Sequence, residues 1–195
     1  MDPRSGRKAK RMLFTLVALV TAATIVPATS AQADGIYRWR NQATNGFLEI
    51  WLSSLDDLAK VITWDGPPSN NQAWMDFKLD NGYYSLTNYN SGKTLDRWDS
   101  RSIDSTGGCG HGIQYQWTGQ QWQQWKYRRV WDSGHRRDFI MWKNQAGCFE
   151  DPYHDVLSAD AAGGMHTTLY HTEYCDYTGG PYWIVDHCKW KRNGE

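Results

Sequence analysis

Three windows of the sequence place an apolar residue and then a carboxylate behind a strand-like run and a polar turn: Ile36–Asn41 leads to Glu49, Tyr83–Asn88 to Asp96, and Asp138–Asn144 to Glu150. A tryptophan follows downstream of each, at Trp74, Trp125 and Trp183, and the first two close a Gln-x-Trp motif from Gln72 and Gln123. A carboxylate only accepts hydrogen bonds, an amide both donates and accepts, and an indole presents a flat apolar face with one polar edge. Together these groups suit a ligand that carries hydroxyls on its rim and C–H groups on a face. The other reactive set is Cys109, Cys148, Cys175 and Cys188, with His111 and His171 as further zinc ligands in principle. No C-x-x-C pair is present, which argues against a structural zinc site.

These groups recur at a fixed interval. The carboxylates are 47 and 54 residues apart and the tryptophans 51 and 58, a period near fifty. Such a period marks a repeat architecture in which one unit cannot bury its apolar face alone. Helical periodicity is scarce: only Leu52–Val61 reads as a helical turn, and Asn, Gly, Pro, Ser and Asp punctuate the rest about every ten positions. The expectation is an all-β chain of many short strands.

The first 33 residues read as an address. Arg4, Arg7, Lys8, Lys10 and Arg11 precede a weakly polar to apolar run from Met12 to Val26, and Ala31-Gln32-Ala33 is a small-x-small cleavage site. This is the pattern of a secretory signal peptide, and the run is shorter than the roughly twenty residues that cross a bilayer. The expected division is therefore 1–33 as leader and 34–195 as one domain of three repeats, about 36–82, 83–134 and 135–190. No membrane span is expected after cleavage. The whole chain balances 21 basic against 21 acidic residues, but without the leader the balance is 16 to 20, a net of −4. That is the wrong sign for a nucleic-acid binder, which gathers Lys and Arg. All four cysteines lie after residue 33, an even number in an oxidising compartment, so two disulfides are expected. All twelve tryptophans lie there as well, more than a small polar domain needs for its core, so some rings should face a wet surface.

The run Leu86-Thr-Asn-Tyr-Asn-Ser-Gly-Lys-Thr-Leu-Asp96 with its downstream Gln-x-Trp resembles the ricin-B-type (QxW) β-trefoil lectins, and the resemblance extends from about Ile36 to Trp190. It implies a β-trefoil: twelve strands in three pseudo-repeats, a six-stranded barrel capped by three hairpins, with Trp74, Trp125 and Trp183 in the core. It also implies a Cys148–Cys175 bridge and, with it, a Cys109–Cys188 bridge.

What the family does with these residues is bind sugars. An aromatic ring covers the C–H face of a pyranose, while a carboxylate and an amide hold the hydroxyls. In the first repeat the resemblance assigns this to Glu49, Trp64, Asn71 and Gln72, with Glu in place of the family's Asp. In the second it assigns Asp96, Tyr115 and Gln123, with Trp122 at the family's Asn position as a second platform. In the third the positions fall on Glu150, Glu173, Gly180 and Pro181, with no ring for stacking. That site is expected to be dead, or rebuilt around Tyr170 or Tyr174.

The implied protein is a secreted, monomeric, non-catalytic carbohydrate-binding lectin with no cofactor and no metal. Two other readings stay open: a trefoil that has lost sugar binding and acts as a protein-interaction or inhibitor scaffold, and a glycosidase using two of Glu49, Asp96 and Glu150. Hydrolysis needs carboxyl groups about 5 to 10 Å apart, whereas equivalent positions on a threefold barrel lie far around its circumference. The carboxylates also have a plainer use as turn formers, and Trp64 and Tyr115 as ordinary surface rings.

Overall fold

The computed structural model describes residues 33–98, 110–134, 137–146, 154–159, 167–171 and 186–192. The chain divides into Met1–Ser30 and Ala31–Glu195, and every described residue lies in the second unit. Among the described residues thirteen strands form one antiparallel network. The strands are β1 (Ala33–Tyr37), β2 (Trp39–Asn41), β3 (Phe47–Ile50), β4 (Val61–Trp64), β5 (Trp74–Lys78), β6 (Tyr84–Asn88) and β7 (Thr94–Arg97). They continue with β8 (Gly112–Tyr115), β9 (Trp125–Asp132), β10 (Arg137–Asn144), β11 (His154–Ala159), β12 (Thr167–His171) and β13 (Trp190–Arg192).

Hydrogen bonding runs β1-β5-β6-β9-β10-β13-β2. Since β1 and β2 are separated only by Arg38, the ladder returns to the stretch it left and the six-stranded barrel closes. Closure leaves no barrel strand with an unpaired edge. The hairpins β3–β4, β7–β8 and β11–β12 hang off this ring, one per repeat. Counted with β1 and β2 as one strand broken at Arg38, the pattern is the twelve strands of a trefoil.

Burial alternates along the barrel strands, as a pleat with one wet face requires. The inward residues include three fully buried tryptophans, each donating its indole N–H to a hairpin carbonyl: Trp74 to Leu48 at 2.9 Å, Trp125 to Leu95 at 3.1 Å and Trp190 to Leu157 at 3.0 Å. Burying an indole is favourable only when its N–H is satisfied, and the fold meets that need the same way three times. The third member of this set is Trp190. Trp183, which spacing had put there, lies outside the described residues. The leucine-to-tryptophan interval grows from 26 to 30 to 33 residues around the barrel, so counting a constant interval fails in the third repeat.

A second threefold set links strand ends to turns. Asn41, Asn88 and Asn144 are buried at the ends of β2, β6 and β10. Their side-chain amides donate to the carbonyls of His187 (2.7 Å), Asn71 (2.8 Å) and Trp122 (2.8 Å). Their Oδ1 atoms accept from the backbone N–H of Ala43 (3.0 Å), Asn90 (3.1 Å) and Ala146 (3.0 Å). Each asparagine thus closes its own turn and pins the chain just before a core tryptophan. Asn88→Ala should lower stability by about 2 to 3 kcal/mol, because it strips partners from buried backbone groups. Urea unfolding of the variant checks this, and a loss under about 0.5 kcal/mol would mean the backbone holds the turn unaided.

The expected helical turn at Leu52–Val61 is instead a loop. A single 3-10 turn at Trp51–Ser53 contains left-handed residues, Leu52 (φ 55°) and Ser53 (φ 53°), and Leu58 (φ 67°) follows. The second repeat holds the loop in this shape: Leu58 N–H donates to the Gln114 carbonyl at 2.8 Å, and the Gln114 amide donates to the carbonyls of Ser54 (2.9 Å) and Asp56 (2.8 Å). Asp57 receives Lys93 at 2.6 Å, and that hydrogen bond holds its carboxyl below the ordinary carboxylate range. These tertiary bonds outweigh a local helical preference and carry Leu58 against the second hairpin.

Candidate functional site

In the β7–β8 hairpin Asp96 pairs with Ile113, and Thr94 with Tyr115. Because side chains alternate across a strand, Asp96 and Tyr115 share one face as diagonal neighbours. They converge on a cavity of about 640 Å³. Ile113 forms part of its wall, Trp98 just beyond β7 and Trp122 in the turn before β9 add two more rings, and Leu58 reaches in from the preceding loop. Arg97, Thr118 and Gln120 complete the lining.

Asp96 is 4% exposed. Its Oδ2 accepts from the Gln123 amide at 2.8 Å. Gln123 also donates to the Gln116 carbonyl (2.9 Å), and its own carbonyl accepts from the Thr118 N–H (2.7 Å) and hydroxyl (2.9 Å). With its amide and carbonyl committed in this way, Gln123 positions the carboxylate. Burial pushes the Asp96 carboxyl up to about 6, against the opposing pull of Gln123 and Arg97. A carboxylate held partly desolvated beside three aromatic rings can accept hydrogen bonds from ligand hydroxyls strongly, because little water competes.

The first repeat carries the same register: Glu49 pairs with Ile62, and Phe47 with Trp64. Gln72 donates to Glu49 at 2.6 Å, as Gln123 does to Asp96. Asn71, expected to face a sugar, is buried; its amide donates to the Ile50 carbonyl at 3.1 Å and its Oδ1 accepts from the Ser69 hydroxyl. Trp64 remains 47% exposed and lies over Gly66, where a Cβ would come within 2.2 Å of its indole nitrogen.

Residues 24–108 match the model of the ricin-type beta-trefoil lectin domain-like family. The designed threefold-symmetric protein ThreeFoil is similar at 25% identity, covering 82% of this chain and 98% of its own, with a TM-score of 0.61. The chain folds as a β-trefoil. An exo-β-1,3-galactanase from Clostridium thermocellum is similar at 20% identity over 82% of this chain and 30% of its own, with a TM-score of 0.59. The Rhizoctonia solani agglutinin is similar at 16% identity over 84% of this chain and 96% of its own, with a TM-score of 0.53. No curated protein sequence matches the chain significantly.

In the trefoil's third repeat Ser158 pairs with Thr168, and Val156 with Tyr170. Ser158 therefore occupies the position of Glu49 and Asp96, and Tyr170 that of Trp64 and Tyr115. Ser158 is fully buried and donates to the Ala159 carbonyl at 2.8 Å, so the third site has no acceptor charge at that position. Glu150, Glu173, Tyr174, Gly180 and Pro181 lie outside the described residues. Cys188 sits two residues before Trp190, where the other repeats have Gln72 and Gln123; it is buried and not a free thiol. Cys109, Cys148 and Cys175 lie outside the described residues. Trp98 was not singled out from sequence, although it stands two residues beyond Asp96, the spacing that keeps a side chain on the same strand face. Among the described residues no helix is long and apolar enough to cross a membrane, and no three His, Cys, Asp or Glu gather as metal ligands.

Proposed function

We propose that the protein is a secreted, non-catalytic lectin that binds glycan or polysaccharide hydroxyls, with the second-repeat cavity as its principal site. The observation that carries this reading is the convergence of Asp96 and Tyr115 on one cavity ringed by further aromatics. Tyr115 covers the C–H face of a pyranose, Asp96 accepts from its hydroxyls, and Gln123 holds the carboxylate in place. Glu49 and Trp64 form a second site of the same design in the first repeat. Two sites on one rigid barrel bind a polymeric glycan by avidity even when each is weak. The basic leader with its Ala31-Gln32-Ala33 cleavage site supports export, and disulfides between Cys148 and Cys175 and between Cys109 and Cys188 suit the compartment it enters. Asp96 is the one carboxylate among the cavity's described lining residues, which favours binding over two-carboxylate hydrolysis.

Tyr115→Ala should weaken retention on the best-bound polysaccharide by about tenfold or more, the usual cost of removing a central aromatic anchor. Affinity electrophoresis or a glycan array checks it. A parent protein that binds no glycan would sink the lectin reading and favour a protein-interaction scaffold.

A further inference from the structure

We infer that the second-repeat site takes a segment of two or more linked sugar units rather than a single terminal sugar. The inference rests on the lectin reading above and concerns what that site selects. One pyranose offers one face to one ring, and Tyr115, beside Asp96, suffices for it. The cavity nevertheless presents two more indoles, Trp98 at 44% exposure and Trp122 at 38%, on the side chains that follow β7 and precede β9.

Its volume of about 640 Å³ falls inside the range of roughly 300 to 1,000 Å³ that accommodates drug-sized ligands, larger than a lone hexose. A neighbouring hollow of about 430 Å³, walled by Trp51, Leu52, Ala59 and Lys60, shares Leu58 with it. The two therefore adjoin over one half-exposed leucine, which leaves room for a ligand longer than the Asp96 pocket. An extended chain of sugars, each with an apolar face and a hydroxyl rim, matches a row of rings with one acceptor charge.

The test titrates the full mature protein with glucose, galactose, xylose and N-acetylglucosamine, each as the monomer and as its linear dimer, trimer and tetramer, by calorimetry. The expected result is an affinity about tenfold or more higher for the trimer than for the monomer of the preferred sugar. Trp98→Ala and Trp122→Ala should bring the trimer-to-monomer affinity ratio down to about twofold or less, while Trp98→Phe retains most of the gain. Circular dichroism and thermal melting establish that each variant is folded. Equal affinity for monomer and trimer, or a chain-length gain untouched by either tryptophan variant, would overturn the inference and leave the lectin reading standing. No binding by the parent at any chain length would overturn both.

Discussion

Changing Asp96 to asparagine should abolish glycan binding at pH 7 and at the same time make the protein more stable. Asparagine keeps the size of the side chain and an oxygen for the Gln123 amide, so the pocket keeps its shape. What it removes is a charge that the fold has buried at a cost. The Asp96 carboxyl stands near 3.8 when unfolded and is raised to about 6 in the folded protein, chiefly by burial. The folded state therefore binds the proton more tightly than the unfolded state. The stability this contributes is fully present below about pH 4 and is lost as pH rises through about 6, a change on the order of 3 kcal/mol. Asparagine should flatten this dependence and gain about 1 to 3 kcal/mol at pH 7.

Binding runs the other way. Only the ionised carboxylate is an acceptor-only group, so parent affinity should rise from pH 5 to pH 7, just where parent stability falls. Thermal melts and glycan titrations from pH 4 to 8 on both proteins follow the two opposing trends. An asparagine variant that binds as well as the parent, or whose melting temperature tracks pH as the parent's does, would refute the role given to this residue.

The second large effect falls on the core. Trp190→Ala should cost about 3 to 5 kcal/mol, the range for emptying a buried tryptophan site, with a further penalty because the Leu157 carbonyl loses its donor at 3.0 Å. Against a total stability of about 5 to 15 kcal/mol this leaves a marginal fold. Trp131→Ala, which removes an indole 63% exposed at the end of β9, should stay within about 0.5 kcal/mol of the parent. Chemical denaturation of the pair measures both, and a Trp190 variant that loses under about 1 kcal/mol would show that the threefold tryptophan set is not what holds the barrel.

Much of this was legible in the residues. The windows ending in Asn41, Asn88 and Asn144 marked the strand ends, and the family resemblance put Trp74 and Trp125 in the core and brought Asp96 and Tyr115 to one site. In the third repeat the equivalent core tryptophan is Trp190, which the spacing passed over for a physical reason. The stretch from its hairpin to the next barrel strand is longer, running from His171 to Trp190 against Trp64 to Trp74 and Tyr115 to Trp125, and Cys188 stands where a glutamine would have announced Trp190, so neither spacing nor motif survived. Leu52, Leu55 and Leu58 imitated one face of a helix, but the backbone groups of that stretch are taken up by Gln114, a partner some sixty residues on that no local window contains. The amides of Asn71, Gln72 and Gln123 illustrate a different limit: sequence can place a polar side chain near a site, yet which way it points depends on hydrogen bonds made by the turn around it.

The pairing of β2 with β13 has a consequence for how this protein comes into being. Asn41 reaches Lys189 across 148 residues of chain, and the ring cannot close until those last strand residues have been made. Without β13, the edges of β2 and β10 that it pairs have no partner. Such distant closure is slow, since the entropy of a long loop is lost before its contacts form. A chain that stalls before Trp190 offers open edges to its neighbours. Completion of this barrel waits on β13, with aggregation as its competitor until then.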